Sequence, residues 1–463
     1  MAGASDKARF YLEQSVPELQ DLAAKKIFSK EEINSIAKKR SDFEHILNAR
    51  SSKPSDYARY AEYEMNLESL RRKRVKRLGV KNSNHTGQRR IFFVLDRATK
   101  KFHGDIALWM QYIGFARKQK SNKKVSQILT SVLRLHPTKV ELWIYAANYA
   151  IEERGDITEA RSYMQRGLRF CKTSERAWVE YARLEMIYIA KIVGRRRILG
   201  LDQEEEAQDP AGTIEEAGGD LIALPAITAE DISPDHEPSH GVNQDSLERL
   251  GTSPALSGAI PIAIFDAAMK QFKDNDKICR EFFDMVAEFV DLPCTDTILQ
   301  HIMNRMQALA PQQPETLIRW IQQPILGVKA TSAGFPTMLE VCLDRINASF
   351  KRLGPDSVQD RGILGQQVIE WMLPYLGVED LDPDIRKVII MTLRKLWSQF
   401  QADTEQTPLG RAAEVAGLLE KFDAQEFHRI TEPARVWALS KWPGESRLFT
   451  ESSAKSSVIR SIA

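Results

Sequence analysis

Apolar residues in the N-terminal half of the chain recur at intervals of three and four, the spacing of one face of an amphipathic helix. Three such stretches begin at Trp109, Trp143 and Trp178, with the sequences WMQYIGFA, WIYAANYA and WVEYARLE. Their first, fourth and seventh positions are apolar or small, so these positions share one helix face. Successive tryptophans lie 34 and 35 residues apart. The pattern predicts a helix that repeats at this interval.

A second helix is predicted between successive tryptophan stretches. The intervening segments contain Ala98, Val132 and Gly167, each eleven residues before the next tryptophan. Gly155 and Asp156 form a turn sequence between two of the helices. A period near thirty-four with two helices per unit predicts an α-solenoid, because one helix pair cannot bury its own apolar face.

A fourth copy of the unit begins at Tyr57 with the sequence YARYAEYE. It fits the interval if the eighteen residues RRKRVKRLGVKNSNHTGQ, starting at Arg71, form an insertion between its two helices. We expect the repeat-defining aromatic side chains to pack against neighbouring helices rather than to bind a ligand. They are Tyr57, Tyr60, Trp109, Tyr112, Trp143, Tyr149, Trp178 and Tyr181.

Two helix starts have the sequence of a capping box, in which a Ser or Thr is followed three residues later by Glu. One is Ser29 with Glu32, and the other is Thr138 with Glu141. Each predicts that a helix begins directly after its hydroxyl residue.

Four segments follow from these patterns. Residues 1–50 form an N-terminal helical cap, and residues 51–200 form the repeat block with its basic insertion near 71–88. Residues 201–256 are acidic, rich in Gly, Pro and Ser and without aromatics, which is typical of a disordered linker. Residues 257–463 resume helical periodicity without a regular interval, as in a degenerate repeat block. The predicted fold is therefore all-α, with two helical blocks joined by the linker.

Composition changes this picture in only a few respects. With 463 residues and 43% hydrophobic content, the chain is long enough for more than one core. Its net charge of +2 hides a basic N-terminal half and an acidic stretch between about residues 202 and 248. The first ten residues lack the pattern of a signal peptide and no sustained apolar run follows, so we expect an intracellular chain without a membrane span. The four cysteines are widely spaced and are expected to be reduced core residues.

One literal catalytic string occurs, HEPSH from His236 to His240, which matches the zinc protease signature. Pro238 disfavours the helix that would place both histidines on one metal, so a chance match is favoured over a metal hydrolase. The sequence contains no phosphate-binding Gly-rich loop, serine elbow or kinase signature. We therefore expect no enzyme, no cofactor and no small-molecule substrate.

The run RRKRVKR is the candidate functional site. Its members, candidates for RNA binding or nuclear targeting, are Arg71, Arg72, Lys73, Arg74, Lys76 and Arg77. Such a run can neutralise several RNA phosphates or act as a nuclear localisation signal. The third alternative is a solvated surface that no helical core requires. None of these alternatives includes base-specific recognition, since base-stacking aromatics are absent from the run.

The motif W-x-x-Y-A-x-x-E, present at residues 178–185 and echoed at residues 57–64, resembles the HAT (half-a-TPR) repeat. The opening stretch YLEQSVPELQDLAAKKIFSKEEINSIAKKRSDFEHIL, followed by DYARYAEYEMNLESLRRKRVKRL, resembles the U-three small nucleolar RNA-associated protein six family. The resemblance covers about the first two hundred residues. In the C-terminal half no individual motif matches.

The resemblance implies a nucleolar scaffold in the UTP-B subcomplex of the small-subunit processome, which supports pre-rRNA processing and the maturation of 18S rRNA. It implies WD-repeat β-propeller partners, with the U-three small nucleolar RNP and pre-rRNA contacted directly or through them. It carries over no catalytic residue and no cofactor. The alternative is a HAT scaffold of another RNA-processing machine, in splicing or mRNA 3′-end cleavage, which would lack the opening fifty residues.

Overall fold

The computed structural model describes residues 4–79, 86–198, 256–354, 357–378, 380–406 and 428–441, and every regular element within them is helical. This confirms the all-α fold. The chain divides into two compact units, residues 1–171 and residues 172–463. The HAT assignment and the four segment boundaries stay predictions. The predicted linker lies outside the described residues except for residue 256.

The first unit contains nine helices among its described residues. They are α1 (Ala4–Glu13), α2 (Val16–Ala24), α3 (Lys30–Asn48), α4 (Pro54–Leu78), α5 (Thr86–Lys101), α6 (Ile106–Lys118), α7 (Asn122–Leu135), α8 (Val140–Glu153) and α9 (Ile157–Phe170). Helix α4 packs on α5, α6 on α7 and α8 on α9. The predicted alternation of first and second helices is therefore present in this unit.

The turn between α8 and α9 forms as the sequence predicts. Gly155 has a φ of +68°, a left-handed conformation that a residue with a side chain adopts only at a cost. Asp156 then caps α9, since its Oδ1 accepts the backbone N–H of Glu159 at 2.9 Å.

One of the two predicted capping boxes forms. Ser29 Oγ accepts the N–H of Glu32 at 3.2 Å, and Glu32 Oε2 accepts the N–H of Ser29 at 2.9 Å. The prediction at Thr138 was wrong, because α8 begins at Val140 with Lys139 as its N-cap and without a side-chain cap. This start places Glu141 at the second helical position instead of the third, so a capping box at Thr138 is out of register.

The tryptophans of the first unit repeat a contact that joins each first helix to the loop before it. The indole of Trp109 donates to His103 O at 3.0 Å, and that of Trp143 donates to Pro137 O at 2.9 Å, six residues upstream in both cases. Each indole closes its loop onto the following helix, so the tryptophan is a structural mark of the unit. Gly167 lies so close to Trp143 that a Cβ there would be 3.0 Å from the tryptophan side chain.

The repeat-defining aromatics are buried, with one exception. Six of them in the first unit, Tyr57, Tyr60, Trp109, Tyr112, Trp143 and Tyr149, are at most 6% exposed. In the second unit Tyr181 is buried, whereas Trp178 is half-buried. The Nε1 atom of Trp178 has no hydrogen-bond partner among the described residues. The Trp178 indole therefore lacks the loop contact of the other two.

The second unit begins with α10 (Glu175–Ile198), which packs on α11 (Ala259–Gln271) and α12 (Asp276–Val286). Its other described α-helices are α13 (Thr295–Leu309), α14 (Pro314–Gln322), α15 (Phe335–Leu353), α16 (Val358–Met372), α17 (Pro383–Gln406) and α18 (His428–Lys441), and short 3-10 helices follow α14 (Gln323–Ile325) and α16 (Leu373–Gly377). A continuous apolar core extends from α14 to α18.

The four cysteines are free and buried. Burial raises the pKa of the Cys279 thiol to about 12 and that of Cys342 to about 11, so both are protonated and unreactive near neutral pH. Within the described ranges, no group of His, Cys, Asp and Glu is arranged to hold a metal ion. The residues of the HEPSH string lie outside those ranges. None of the described helices has the length and apolar character needed to span a bilayer.

Candidate nucleic-acid interface

A buried ion-pair network fixes the helix that carries the basic run. Arg40 on α3 is 1% exposed, and its Nε and Nη2 donate to the two carboxylate oxygens of Glu64 on α4 at 2.8 and 2.9 Å. Glu18 on α2 accepts from Arg40 Nη1 at 3.3 Å and from Arg90 on α5 at 3.2 Å. Burial alone would lower the pKa of Arg40, but Glu64 and Glu18 raise it above its usual value. The guanidinium stays charged and joins α2, α3 and α4, and Arg90 adds α5 to the network through Glu18.

The basic run extends α4 itself. All seven residues of the run lie in α4, which continues to Leu78. The last three residues of the expected eighteen-residue insertion, 86–88, form the start of α5. The stretch therefore lies largely within the two helices instead of between them, and residues 80–85 lie outside the described part of the chain.

Arg71 and Arg72 both bind the buried carboxylate of Glu68. Arg71 is 8% exposed, and its Nε donates to Glu68 Oε2 at 2.6 Å. Arg72 Nε donates to Glu68 Oε1 at 2.9 Å. Burial would raise the pKa of Glu68, but the bonds from the two arginines lower it overall. Gly87 on α5 faces this carboxylate, and a Cβ there would overlap Glu68 Oε2. The first two residues of the run thus neutralise a carboxylate of their own helix that faces α5.

Arg74 fixes α4 against the start of α3. Its Nη1 and Nη2 each donate to Glu32 at 2.7 Å, and Nη1 also donates to Ile27 O at 3.2 Å. The guanidinium lies 4.7 Å from the centre of the Phe28 ring. The expectation that no helical core requires the run is therefore wrong for Arg71, Arg72 and Arg74, which bind carboxylates of their own chain.

The Arg74–Glu32 pair predicts an acid-sensitive contribution to stability. Bonds from Arg74 and from the Ser29 backbone lower the pKa of Glu32 from 4.5 to about 2. A lowered pKa stabilises the fold above the unfolded value of 4.5 and loses that contribution as pH falls towards 2. Thermal melting between these limits should therefore show a shallower acid dependence for Arg74→Gln than for the unmodified chain. Parallel curves would show that the pair contributes no stability.

Three members of the run remain available to a partner. Lys73, Lys76 and Arg77 are exposed, and none has an ion pair or hydrogen bond to another described residue. With about 3.6 residues per turn, they share the face of α4 opposite Arg71, with Lys76 next to Arg72 and Arg77 next to Arg74. The helix therefore separates structural arginines from solvent-facing cations.

Gln119, in the turn between α6 and α7, brings a second basic segment to this side of α4. Its Oε1 accepts from Arg72 Nη2 and from Gln88 Nε2, both at 2.7 Å. Lys118, Lys120 and Lys123 flank this turn and are exposed.

These three lysines are not among the site residues predicted from the sequence, although the sequence contains a signal for them. From Ile106 to Val140 the chain has no Asp or Glu and seven Lys or Arg residues. A repeat without Asp or Glu indicates a basic surface. Its Lys and Arg residues are separated along the sequence, however, and do not form a contiguous run.

Residues 12–93 match the family model described as U3 small nucleolar RNA-associated protein 6. This segment contains the buried network and the basic run. Curated relatives carry the same description. A Schizosaccharomyces pombe protein of this name is 38% identical over 237 residues, which is 49% of each chain. A human homologue is 32% identical over 185 residues, 39% of this chain and 31% of its own length.

A Dictyostelium discoideum homologue is 28% identical over 291 residues, 62% of this chain and 46% of its own length. The chain thus spans less than half the length of each of these relatives. The function of the whole relatives is therefore only proposed for this chain.

Proposed function

We propose that the chain is a non-enzymatic scaffold subunit of the small-subunit processome, because it belongs to the U3 small nucleolar RNA-associated protein 6 family. It supports pre-rRNA processing and 18S rRNA maturation from within the UTP-B subcomplex. The observation that carries this proposal is the family match over residues 12–93, which covers the opening helices and the buried network of the first unit. The expected location is the nucleus and nucleolus.

The structural basis of a scaffold role is a set of paired helices held at fixed positions. Arg40, Glu64, Glu18 and Arg90 tie four helices together, and the indoles of Trp109 and Trp143 close two successive loops. Rigid helix pairs present a long surface to protein partners. WD-repeat β-propellers are the partners that we propose for it.

The alternative, a HAT scaffold of splicing or mRNA 3′-end cleavage, fits the helix pairs equally well. The opening residues favour the first proposal, since the family match starts at residue 12. Affinity purification of the tagged full chain with crosslinking mass spectrometry separates the two. We expect β-propeller proteins and U3 small nucleolar RNP components. Consistent recovery of splicing or 3′-end cleavage factors would replace the proposal by its alternative.

The exposed half of the basic run provides a second test. Changing Lys73, Lys76 and Arg77 together to Gln should leave the fold intact, because none of these side chains has a described partner. If the run directs import, nucleolar enrichment falls and an appended import signal restores it. If it contacts pre-rRNA, localisation persists but RNA crosslinks decrease. Normal localisation with normal crosslinking would leave only a solvated surface.

The matched control for this experiment changes the structural arginines instead. Arg71→Gln and Arg74→Gln should lower thermal stability, since the first removes one of the two arginines that bind the buried Glu68 and the second removes the bonds from α4 to Glu32 and Ile27 O. A variant of all six residues would therefore confuse loss of folding with loss of function.

A further inference from the structure

Two separate segments of the first unit contribute exposed cations to one side of the α4–α7 helix pairs. The segments are 47 residues apart in sequence and are joined by the bond from Arg72 to Gln119. We define the basic edge as Lys73, Lys76 and Arg77 of α4 with Lys118, Lys120 and Lys123 of the α6–α7 turn. Two carboxylates beside the run, Glu68 on α4 and Glu32 on α3, are already bound by Arg71, Arg72 and Arg74.

We propose that the basic edge binds the phosphate backbone of RNA, with the α6–α7 turn contributing as much as the basic run. This inference rests on the proposed function, which places the chain on pre-ribosomal RNA, and adds the surface of contact. The binding is independent of sequence, since the edge consists of cations and phosphates are identical at every nucleotide.

The turn favours RNA over a folded protein partner. A protein interface needs an apolar centre within its polar rim. Between Phe93 and Leu135 the described residues include no exposed large hydrophobic side chain. The exposed residues that flank Gln119 are instead polar or cationic. A polyanion with regularly spaced charges suits such a surface, because every contact releases counterions without apolar burial.

The backbone conformation of Lys120 provides a variant that removes a cation without straining the turn. Its φ of 52° is left-handed, the conformation that Gly155 adopts in the corresponding turn between α8 and α9. Glycine adopts this conformation without steric cost, whereas a residue with a Cβ does not. Lys26 and Lys273 adopt the same conformation, so a left-handed lysine is not peculiar to this turn, but glycine at position 120 would remove the steric cost together with the charge.

Lys120→Gly separates binding from folding. The variant loses one cation and relieves the backbone, so its melting temperature should stay the same or rise. Its affinity for RNA should fall. A variant that binds less but melts no lower rules out unfolding as the cause.

The full test uses the purified full chain and fluorescence anisotropy with a mixed-sequence single-stranded RNA over a series of salt concentrations. The turn variant is Lys118→Gln/Lys120→Gly/Lys123→Gln, and the run variant is Lys73→Gln/Lys76→Gln/Arg77→Gln. Each should lower the slope of log affinity against log salt by about 2, since each contact to a single strand contributes about 0.7. Each should also weaken binding roughly tenfold or more at about 200 mM salt.

The matched control removes three exposed cations away from the edge, with Arg134→Gln, Lys139→Gln and Lys38→Gln. Arg134 and Lys139 lie at the opposite end of α7, so this variant has the same net charge as the turn variant but should keep the wild-type slope.

Three outcomes would overturn the inference. They are a turn variant that binds as wild type does, a control that loses as much affinity as the turn variant, and a wild-type chain that binds an acidic peptide but no RNA. The last would indicate an acidic protein segment as the partner. These results leave complex membership untouched. Failure of the proposed function would instead appear as loss of processome components from the affinity purification, whatever the purified chain binds.

Discussion

Replacing Trp143 by alanine is expected to destabilise the first unit by about 3 to 5 kcal/mol, the usual cost of emptying a well-packed tryptophan site. The side chain is 6% exposed and lies against Gly167, and its ring stacks on Phe170 with centroids 5.9 Å apart. Its indole N–H also donates a hydrogen bond to the loop carbonyl of Pro137. Hydrogen exchange in α8 and α9 of the full chain should report the loss, because it measures local opening within one unit.

Two further variants make the Trp143 result specific. Trp143→Phe keeps a ring over Gly167 but removes the bond to Pro137 O, so it should cost about 1 to 3 kcal/mol. Trp178→Ala should cost less than Trp143→Ala, since Trp178 is half-buried and its Nε1 has no described partner. Unchanged exchange in α8 and α9 of Trp143→Ala would show that Trp143 does not stabilise these two helices.

Local features of this fold were predictable because their partners are near in sequence. The turn at Gly155 and the capping box at Ser29 each depend on residues within a few positions, and both form. The capping box at Thr138 has the same sequence signature but fails, because the start of α8 at Val140 shifts the register by one residue. A local pattern thus predicts that a helix begins more reliably than it predicts which residue begins it.

The candidate site depended on contacts between distant residues, which the sequence does not display. Arg74 binds Glu32, 42 residues away, and Arg72 binds Gln119, 47 residues away. The six basic residues of the run therefore look uniform in sequence, although three of them bind side chains of their own chain. The α6–α7 turn became part of the site only when helix packing placed Gln119 beside α4. The absence of Asp and Glu from residues 106–140 is the feature of the sequence that indicated a basic surface there.

The buried network predicts the other large effect. Arg40→Met should destabilise the first unit by about 3 to 5 kcal/mol, because it leaves a buried carboxylate without its cation. The carboxylate that loses its ion pair is Glu64, which is 2% exposed, whereas Glu18 still accepts a hydrogen bond from Arg90 at 3.2 Å. Glu64→Gln should show a loss of the same kind. Both are measured by hydrogen exchange in α3 and α4 of the full chain.

The double variant Arg40→Met/Glu64→Leu decides whether this loss comes from the stranded charge or from missing volume. With both ions replaced by apolar side chains, the unit should be more stable than in Arg40→Met alone, since a buried pair replaced by apolar groups is often nearly neutral. The exposed pair of Arg9 and Glu13, at the similar distance of 2.9 Å, is the matched control, and its removal should change stability by less than about 1 kcal/mol. Losses that simply add in the double variant would mean that Arg40 and Glu64 act as independent packing residues. Recovery in the double variant would identify the glutamate of the repeat motif as the acceptor of a buried ion pair, with a structural role.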